Sequence, residues 1–303
     1  MKIRGIGIDR RPGQGGAAVR VAILGTGKMG GAMARRLAAL GHELAVWNRT
    51  PERAKALGVG QVMTTPAEAA QKADVVISML TDADAVRVAY LGDNGAAKGA
   101  NDQVFVDMST AGPDVEKEVA AAIERAGADF VEAPVLGSVG AVEAGTLIIF
   151  AAGDEAAVER ARPVLKDLGE VRGVGELGTA SSLKLVANSM LAGVSALAAE
   201  LMSTGTAAGL NPEDVFWVLS RIAPVLNARK AGFVEHRYEP VTFALRDALK
   251  DVRLALDLFK RTGTTTPLTM AIEELYERAA RSAGELDMSA IATIYERQPT
   301  RAK

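Results

Sequence analysis

The sequence predicts an α/β fold, with a mostly parallel sheet domain followed by an all-α C-terminal domain and a long helix joining the two. Three observations carry this. Apolar, β-branched runs alternate with helix-like segments up to about Gly178, strand signals almost vanish beyond it, and a Gly-rich turn closes the first apolar run. A length of 303 residues suits two domains at roughly 100–200 residues each. The composition shift puts them at 20–180 and 181–303, after a flexible extension over 1–19.

Val21–Leu24 is a short apolar strand ending in glycines, and Gly30–Leu40 is an Ala- and Leu-rich helix. Glu43–Trp47 reads as a strand and Pro51–Leu57 as a short helix after a Thr-Pro start. Val75–Met79, Val104–Asp107 and Phe130–Ala133 are further strands, with Pro113–Arg125 among the helices between them. Thr146–Ala151 is expected to be the last apolar strand. Such alternation fits a sheet covered by helices on both faces. From Ser181 to Ala208 the chain is Ala-, Leu- and Met-rich without proline. Helical segments follow at Pro212–Ser220, Thr242–Arg261, Pro267–Arg281 and Ser289–Arg297. Phe216 and Trp217 are expected in the core of the first of these.

Several function classes fall away. Cysteine is absent, which excludes disulfides and thiolate chemistry, and two histidines, His42 and His236, cannot build a zinc cage, so no metal site is expected. Lys+Arg is 35 and Asp+Glu 37, a net charge of −2, so neither nucleic acid nor an anionic membrane is an expected partner. Ser181–Ala199 is the most apolar stretch, but Lys184, Asn188 and its serines and glycines argue against a membrane span. The basic, Gly-rich start lacks a long apolar run, so no secretory signal is expected and a cytoplasmic location is.

Gly25-Thr26-Gly27-Lys28-Met29-Gly30 is a GxGxxG pattern. The pattern is weak in isolation, and an ordinary strand–helix turn would explain it. Here it follows a strand and opens a helix, as dinucleotide binding on a Rossmann-type domain requires. The first glycine makes the turn, the second admits a pyrophosphate, and the third lets helix pack on sheet. Free N–H groups at the helix start then face the phosphates. About twenty residues later an NAD site places an acidic residue on the ribose. This chain has Asn48-Arg49-Thr50, with no carboxylate to repel a 2′-phosphate and a guanidinium able to pair with one. The predicted cofactor is NADP(H).

Hydride transfer to a carbonyl needs a proton donor. None of the tyrosines, Tyr90, Tyr238, Tyr276 and Tyr295, has lysine four residues on, and both histidines read as exposed loop residues. Lys184 is the one charged residue between Ser181 and Ala199, a helix apolar enough to be buried on most sides. Desolvation would lower its pKa from about 10.4 towards neutrality. Asn188 shares its face at i+4. From the residues themselves, a helix-start lysine whose stem lies along the helix and whose head reaches water explains the position equally well.

These motifs together resemble the β-hydroxyacid dehydrogenase family, which includes 3-hydroxyisobutyrate dehydrogenases and glyoxylate/succinic semialdehyde reductases. The likeness runs from Val21 through nearly the whole chain. It is carried by VAILGTGKMG, by Asp107-Met108-Ser109-Thr110-Ala111-Gly112-Pro113, by the stretch Glu132 to Asp154, by Gly178 to Asn188, and by FALRDALKD, Phe243 to Asp251. It implies that Lys184 is the general acid/base, that Asn188 orients the substrate, and that Ser109, Thr110, Leu136, Gly137, Ser138, Phe243 and Asp251 line the substrate cleft between the domains. It adds Met79, Leu80, Thr81, Thr110 and Lys250 to the cofactor set of Gly25, Thr26, Gly27, Lys28, Met29, Gly30, Asn48, Arg49 and Thr50. Asn-Arg-Thr, DMST and LIIFAAGD look closest to the NADPH-linked glyoxylate and succinic semialdehyde reductases.

One departure matters. Where the family reads Pro-Val-Ser-Gly, this chain has Pro134-Val135-Leu136-Gly137-Ser138. A hydroxyl bond to a substrate carboxylate, worth about 1.5–3 kcal/mol, is lost, although the N–H groups of Gly137 and Ser138 could still cradle an oxyanion. The expected substrate, a small aldehyde or oxo acid, thereby extends to less polar carbonyls and imines. Two other readings remain: an imine reductase on the same fold, whose members usually lack lysine at the Lys184 position, and a non-catalytic NADP-binding interaction module, which would be expected to lose the proton donor. The apolar helical domain also suggests a homodimer or homotetramer.

Overall fold

The computed structural model describes residues 18–295. The chain forms two compact units, the first ending at Lys184 and the second beginning at Leu185. The expected extension over 1–19 lies outside the described residues, except for positions 18 and 19.

In the first unit the chain runs β1 (Arg20–Leu24), α1 (Lys28–Ala39), β2 (Glu43–Trp47), α2 (Pro51–Lys55), β3 (Gln61–Val62), α3 (Pro66–Gln71), β4 (Val75–Ser78), α4 (Ala83–Leu91), β5 (Val104–Asp107), α5 (Pro113–Arg125) and β6 (Asp129–Glu132). These strands pair in parallel in the order β3-β2-β1-β4-β5-β6, so the direction of winding reverses between β1 and β4. Every residue of β4 and β5 is buried, because helices cover both faces. Alternation sends Ile23, Ile77, Val106 and Val131 to one core and Ala22, Val76, Phe105 and Phe130 to the other. The helices start where local chemistry dictates. Proline opens α2, α3 and α5, and the side chains of Thr65 and Asp82 accept first-turn N–H groups.

Beyond β6 the sheet becomes mixed. After β7 (Val135–Leu136) and α6 (Val139–Ala144), β8 (Leu147–Gly153) runs antiparallel to β6 and β7. After α7 (Glu155–Lys166), β9 (Gly169–Gly175) pairs in parallel with β8. A further strand thus follows the last apolar one. β9 reads GEVRGVG, which has no apolar run, and it becomes a strand through its pairing with β8.

The helical unit continues α8 (Thr179–Ala207), which runs through the boundary, and adds α9 (Pro212–Ile222), α10 (Lys230–Glu235), α11 (Leu245–Lys260) and α12 (Pro267–Ala283). The helix expected over Ser289–Arg297 is a 3-10 turn at Met288–Ile294 that ends at Tyr295, and its remainder lies outside the described residues. Phe216, Phe233, Leu249, Val252, Tyr276 and Ile291 form the core.

Three expectations need correction. Trp217 is not core: it is 58% exposed, beneath the guanidinium of Arg221 at 5.4 Å, while Phe216 takes the inward position. His42 is not an exposed loop residue. Its Nε2 lies 2.9 Å from Asp167 Oδ2 and its Nδ1 accepts the Val19 N–H, so it is buried where the turn meets the end of α7. α8 is not buried on most sides. Its alanines 192, 196, 198 and 199 pack inward, while Leu183, Val186, Met190 and Leu197 are exposed, since a small-residue face permits close helix packing and leaves the larger side chains outside. By length and composition α8 could also cross a membrane, a test that a core helix passes as well.

Candidate functional site

The loop between β1 and α1 lies at the point where the winding reverses, the usual ligand position in such sheets. Gly25 has φ +97°, and a Cβ there would lie 2.4 Å from the Met79 carbonyl oxygen. A Cβ on Gly30 would meet the Gly25 carbonyl at 2.0 Å, so the turn and α1 close only with glycine at both positions. Gly27 faces open space and caps α1 with no side chain, which leaves first-turn N–H groups of a twelve-residue helix available. Thr26 Oγ1 is buried without a partner among the described residues. Asn48, just after β2, accepts the Thr26 N–H at 3.0 Å and donates to the Thr50 carbonyl at 2.9 Å, tying the loop to the Asn-Arg-Thr turn. Lys28, Arg49 and Thr50 are exposed and Met29 is half-buried. Open N–H groups, an unpartnered hydroxyl and nearby cations suit the phosphates and ribose of a dinucleotide.

The next two strand ends are joined by one carboxylate. Asp107 Oδ1 accepts the Ser109 N–H at 3.0 Å, the Ser109 hydroxyl at 2.6 Å and the Ser78 hydroxyl at 2.7 Å. Ser109 Oγ in turn accepts the Leu80 N–H at 2.9 Å. The hydroxyl of Ser109, expected to meet substrate, is thus used to hold the Met79-Leu80-Thr81 segment against the Ser109-Thr110 segment. Ser109 is buried, Met79, Leu80 and Thr110 are half-buried and Thr81 is exposed. Burial raises the Asp107 carboxyl above its ordinary value despite the hydrogen bonds from Ser109 and Ser78. In the second motif Leu136 ends β7 half-buried, and Gly137 (φ +135°) and Ser138 are exposed.

Lys184 is half-buried in the second turn of α8. Asn188, one turn on, is buried, and its Nδ2 donates to Asp251 Oδ2 on α11. Lys250 Nζ approaches Asp251 Oδ1 at 2.9 Å. The structure therefore groups three predicted residues, Asn188, Lys250 and Asp251, around one buried carboxylate. Phe243, half-buried, precedes α11, where its N–H donates to Asp287.

Sequence reasoning missed Glu116 and Glu132 as members of the site. Both are buried, and Glu132 Oε1 accepts the N–H groups of Gly178 (2.7 Å) and Ala180 (2.8 Å) at the start of α8. The available signal was an acidic residue ending each of two apolar strands, Asp107 and Glu132.

Comparison with known proteins gives the same architecture. The family model for the NAD binding domain of 6-phosphogluconate dehydrogenase matches residues 20–187. The model described as NAD-binding of NADP-dependent 3-hydroxyisobutyrate dehydrogenase matches 178–295. Glyoxylate/succinic semialdehyde reductase 2 of Arabidopsis thaliana is 34% identical over 91% of this chain and 78% of its own length. The solved structure of Mycobacterium tuberculosis 3-hydroxyisobutyrate dehydrogenase with L-serine superposes with a TM-score of 0.82 at 28% identity, covering 93% of this chain and all of that one. That of Psf3 in complex with NADP+ and 2-OPP gives 0.83 at 25% identity, covering 91% of this chain and all of that one. With a glycine cradle for a dinucleotide, the motifs in order and both domains matched, the chain belongs to the β-hydroxyacid dehydrogenase family and is an NAD(P)-dependent oxidoreductase.

Proposed function

We propose that the protein is an NADPH-dependent reductase of small aldehydes or oxo acids, of the glyoxylate or succinic semialdehyde kind, with Lys184 as proton donor. The observation that carries this is the pairing of Lys184 with Asn188 one helical turn away, the latter fixed by a buried carboxylate. NADPH is favoured over NADH because β2 is followed by Asn48-Arg49-Thr50, where Arg49 is exposed to pair with a 2′-phosphate and no acidic side chain of the turn repels it.

Nicotinamide, when bound, supplies a hydride to the carbonyl carbon. Lys184 gives its proton to the carbonyl oxygen and regains one from solvent, leaving an alcohol. Asn188 has its amide nitrogen committed to Asp251, so its carbonyl oxygen is the end that orients the ammonium or the substrate. Leu136 takes the place of a hydroxyl that would hold a carboxylate, which favours less polar carbonyls and keeps a second reading, imine reduction, in view.

A panel of aldehydes, oxo acids and cyclic imines with NADPH and NADH tests this. Lys184→Ala should lose about 10²–10⁴-fold in turnover while NADPH still binds, and Arg49→Asp should weaken NADPH more than NADH. Unchanged turnover in Lys184→Ala overturns the proton donor. Reduction of imines only selects the second reading, and NADPH binding without turnover marks a non-catalytic interaction module.

The helical unit leaves Trp217, Ile222, Leu268 and Met270 exposed, more apolar side chain than a lone bundle needs on its surface. We propose that these cover one another in a homodimer or homotetramer. Light scattering after gel filtration should show a multiple of the chain mass, 31.6 kDa, and a monomer at micromolar concentration overturns the assembly.

A further inference from the structure

We propose that Glu116 is a positioning residue: its carboxyl holds a proton between Asp107 and Glu132 and so keeps the segment after β4, the segment after β5 and the start of α8 in one arrangement. The kinetic part of its test rests on the reaction proposed above, and the affinity part on the NADPH preference proposed there.

Ser78, Asp107 and Glu132 are the last residues of β4, β5 and β6, and they stand in register, Ser78 beside Asp107 and Asp107 beside Glu132. Strand alternation places all three on the face of Val76, Phe105 and Phe130, and each is fully buried. The two carboxylates of the row grip different segments. Asp107 holds Ser109, whose hydroxyl holds Leu80, while Glu132 holds Gly178 and Ala180. Lys184 stands one turn beyond Ala180 on the same helix.

Glu116 enters from the first turns of α5 and is itself buried. It faces Asp107 from β5, Glu132 from β6 and Tyr90 from α4, each of which interacts with it electrostatically. The start of α8 contributes peptide N–H groups and the Ser181 hydroxyl, through Glu132. The neighbouring cation is Lys117 on α5, whose ammonium end lies against Gly178. Among the described residues, none of the three carboxyls is ion-paired to a lysine or arginine, and Asp107 Oδ2, Glu116 Oε2 and Glu132 Oε2 are each buried without a donor. Ionised carboxylates only accept, so three buried together cannot satisfy each other. One proton changes that. Glu116 and Asp107 then share a hydrogen bond, and the row carries less charge. Burial first, then the charges of Asp107 and Glu132, lift the Glu116 carboxyl well above the usual carboxylate range, whereas Asp107 and Glu132 accept N–H or O–H donors that favour their ionised forms. The proton therefore sits on Glu116. Its loss would put a third negative charge into the row and push apart the segments that the row holds.

The experiment measures NADPH affinity by fluorescence, and kcat and KM, from neutral to alkaline pH, in the wild type, Glu116→Leu and Glu116→Gln. Glutamine keeps a donor to Asp107 but cannot ionise. Glu116→Leu should weaken NADPH binding and lower kcat at every pH, and Glu116→Gln should restore most of both. The wild type should lose several-fold more affinity than Glu116→Gln as pH rises into the alkaline range. Parallel profiles for wild type and Glu116→Gln, or a glutamine variant as impaired as the leucine one, overturn the proposal. Should Glu116→Leu fail to fold, the wild type and Glu116→Gln profiles decide between the same outcomes. A wild type that binds NADPH but reduces no carbonyl overturns the proposed reaction, while the affinity profiles still decide the role of Glu116.

Discussion

The two units bury carboxylates by opposite means. In the sheet unit, Asp107, Glu116 and Glu132 lie together without a cation and depend on hydroxyls, peptide N–H groups and a retained proton. In the helical unit, Asp251 has Lys250 and Asp287 has Arg229, and both also accept hydrogen bonds. The carboxyls of the first group are all raised by burial. At Asp287 burial also pushes upward, but the bonds from Thr242 and Ser289 and the charge of Arg229 outweigh it, and the carboxyl is lowered. Whether a buried carboxylate meets donors and a cation or another carboxylate sets the sign of its pH dependence. The cation-free arrangement sits at the strand ends of the sheet that carries the dinucleotide cradle.

The sharpest way to break this contrast is at Asp287. It is buried and accepts from Thr242 N–H (3.0 Å) and Oγ1 (2.6 Å), Phe243 N–H (3.2 Å), and Ser289 N–H (3.1 Å) and Oγ (2.9 Å). Asp287→Ala strands those donors and leaves Arg229 buried without its ion-pair partner, so it should cost about 3–5 kcal/mol at neutral pH by denaturant unfolding. The sign follows from linkage. A folded carboxyl below its ordinary 3.8 contributes stability that is present above that value and lost as pH falls through the lower folded value. The penalty in Asp287→Ala should therefore shrink in strong acid. Glu116 has the reverse sign. Its contribution is complete below its ordinary 4.5 and is lost as pH rises through the elevated folded value. An Asp287→Ala penalty of equal size in strong acid and at neutral pH would remove the contrast.

The sequence was most legible where the chemistry is local. The bounds of β2, β5 and α5 follow from apolar runs and a proline start, and the glycine cradle follows from six consecutive residues. What was hidden depends on partners far along the chain. β9 has no apolar signature and exists through β8. Asn188 was visible as a neighbour of Lys184, but its hold on Asp251 joins positions 63 apart. Glu116 reads as one more acidic residue of an amphipathic helix, and only the register of three strands places two carboxylates before it. Trp217 and Phe216 are adjacent and equally apolar, and packing sends one outward.

The smallest expected effect sharpens the sheet side of the contrast. Ser78 has one proton, and Asp107 Oδ1 at 2.7 Å is a carboxylate that can only accept, so the proton goes there and Tyr90 must donate its own to Ser78 at 2.6 Å. Burial first, then the charge of Asp107, keeps that phenol protonated far above its ordinary range. Tyr90→Phe keeps the ring beside Phe105 and Phe130, both 6.1 Å away centroid to centroid, and removes only the hydroxyl. Ser78 then loses a donor but still serves Asp107, so the cost should be about 0.5–1.5 kcal/mol in unfolding. Because Tyr90 feeds its hydrogen bond into the row without carrying the mobile proton, Tyr90→Phe should lower stability by a similar amount across neutral and alkaline pH. If instead it abolished the alkaline loss of NADPH affinity, the proton would belong to the phenol, and the division between a proton-held unit and a cation-held one would have to be redrawn around α4.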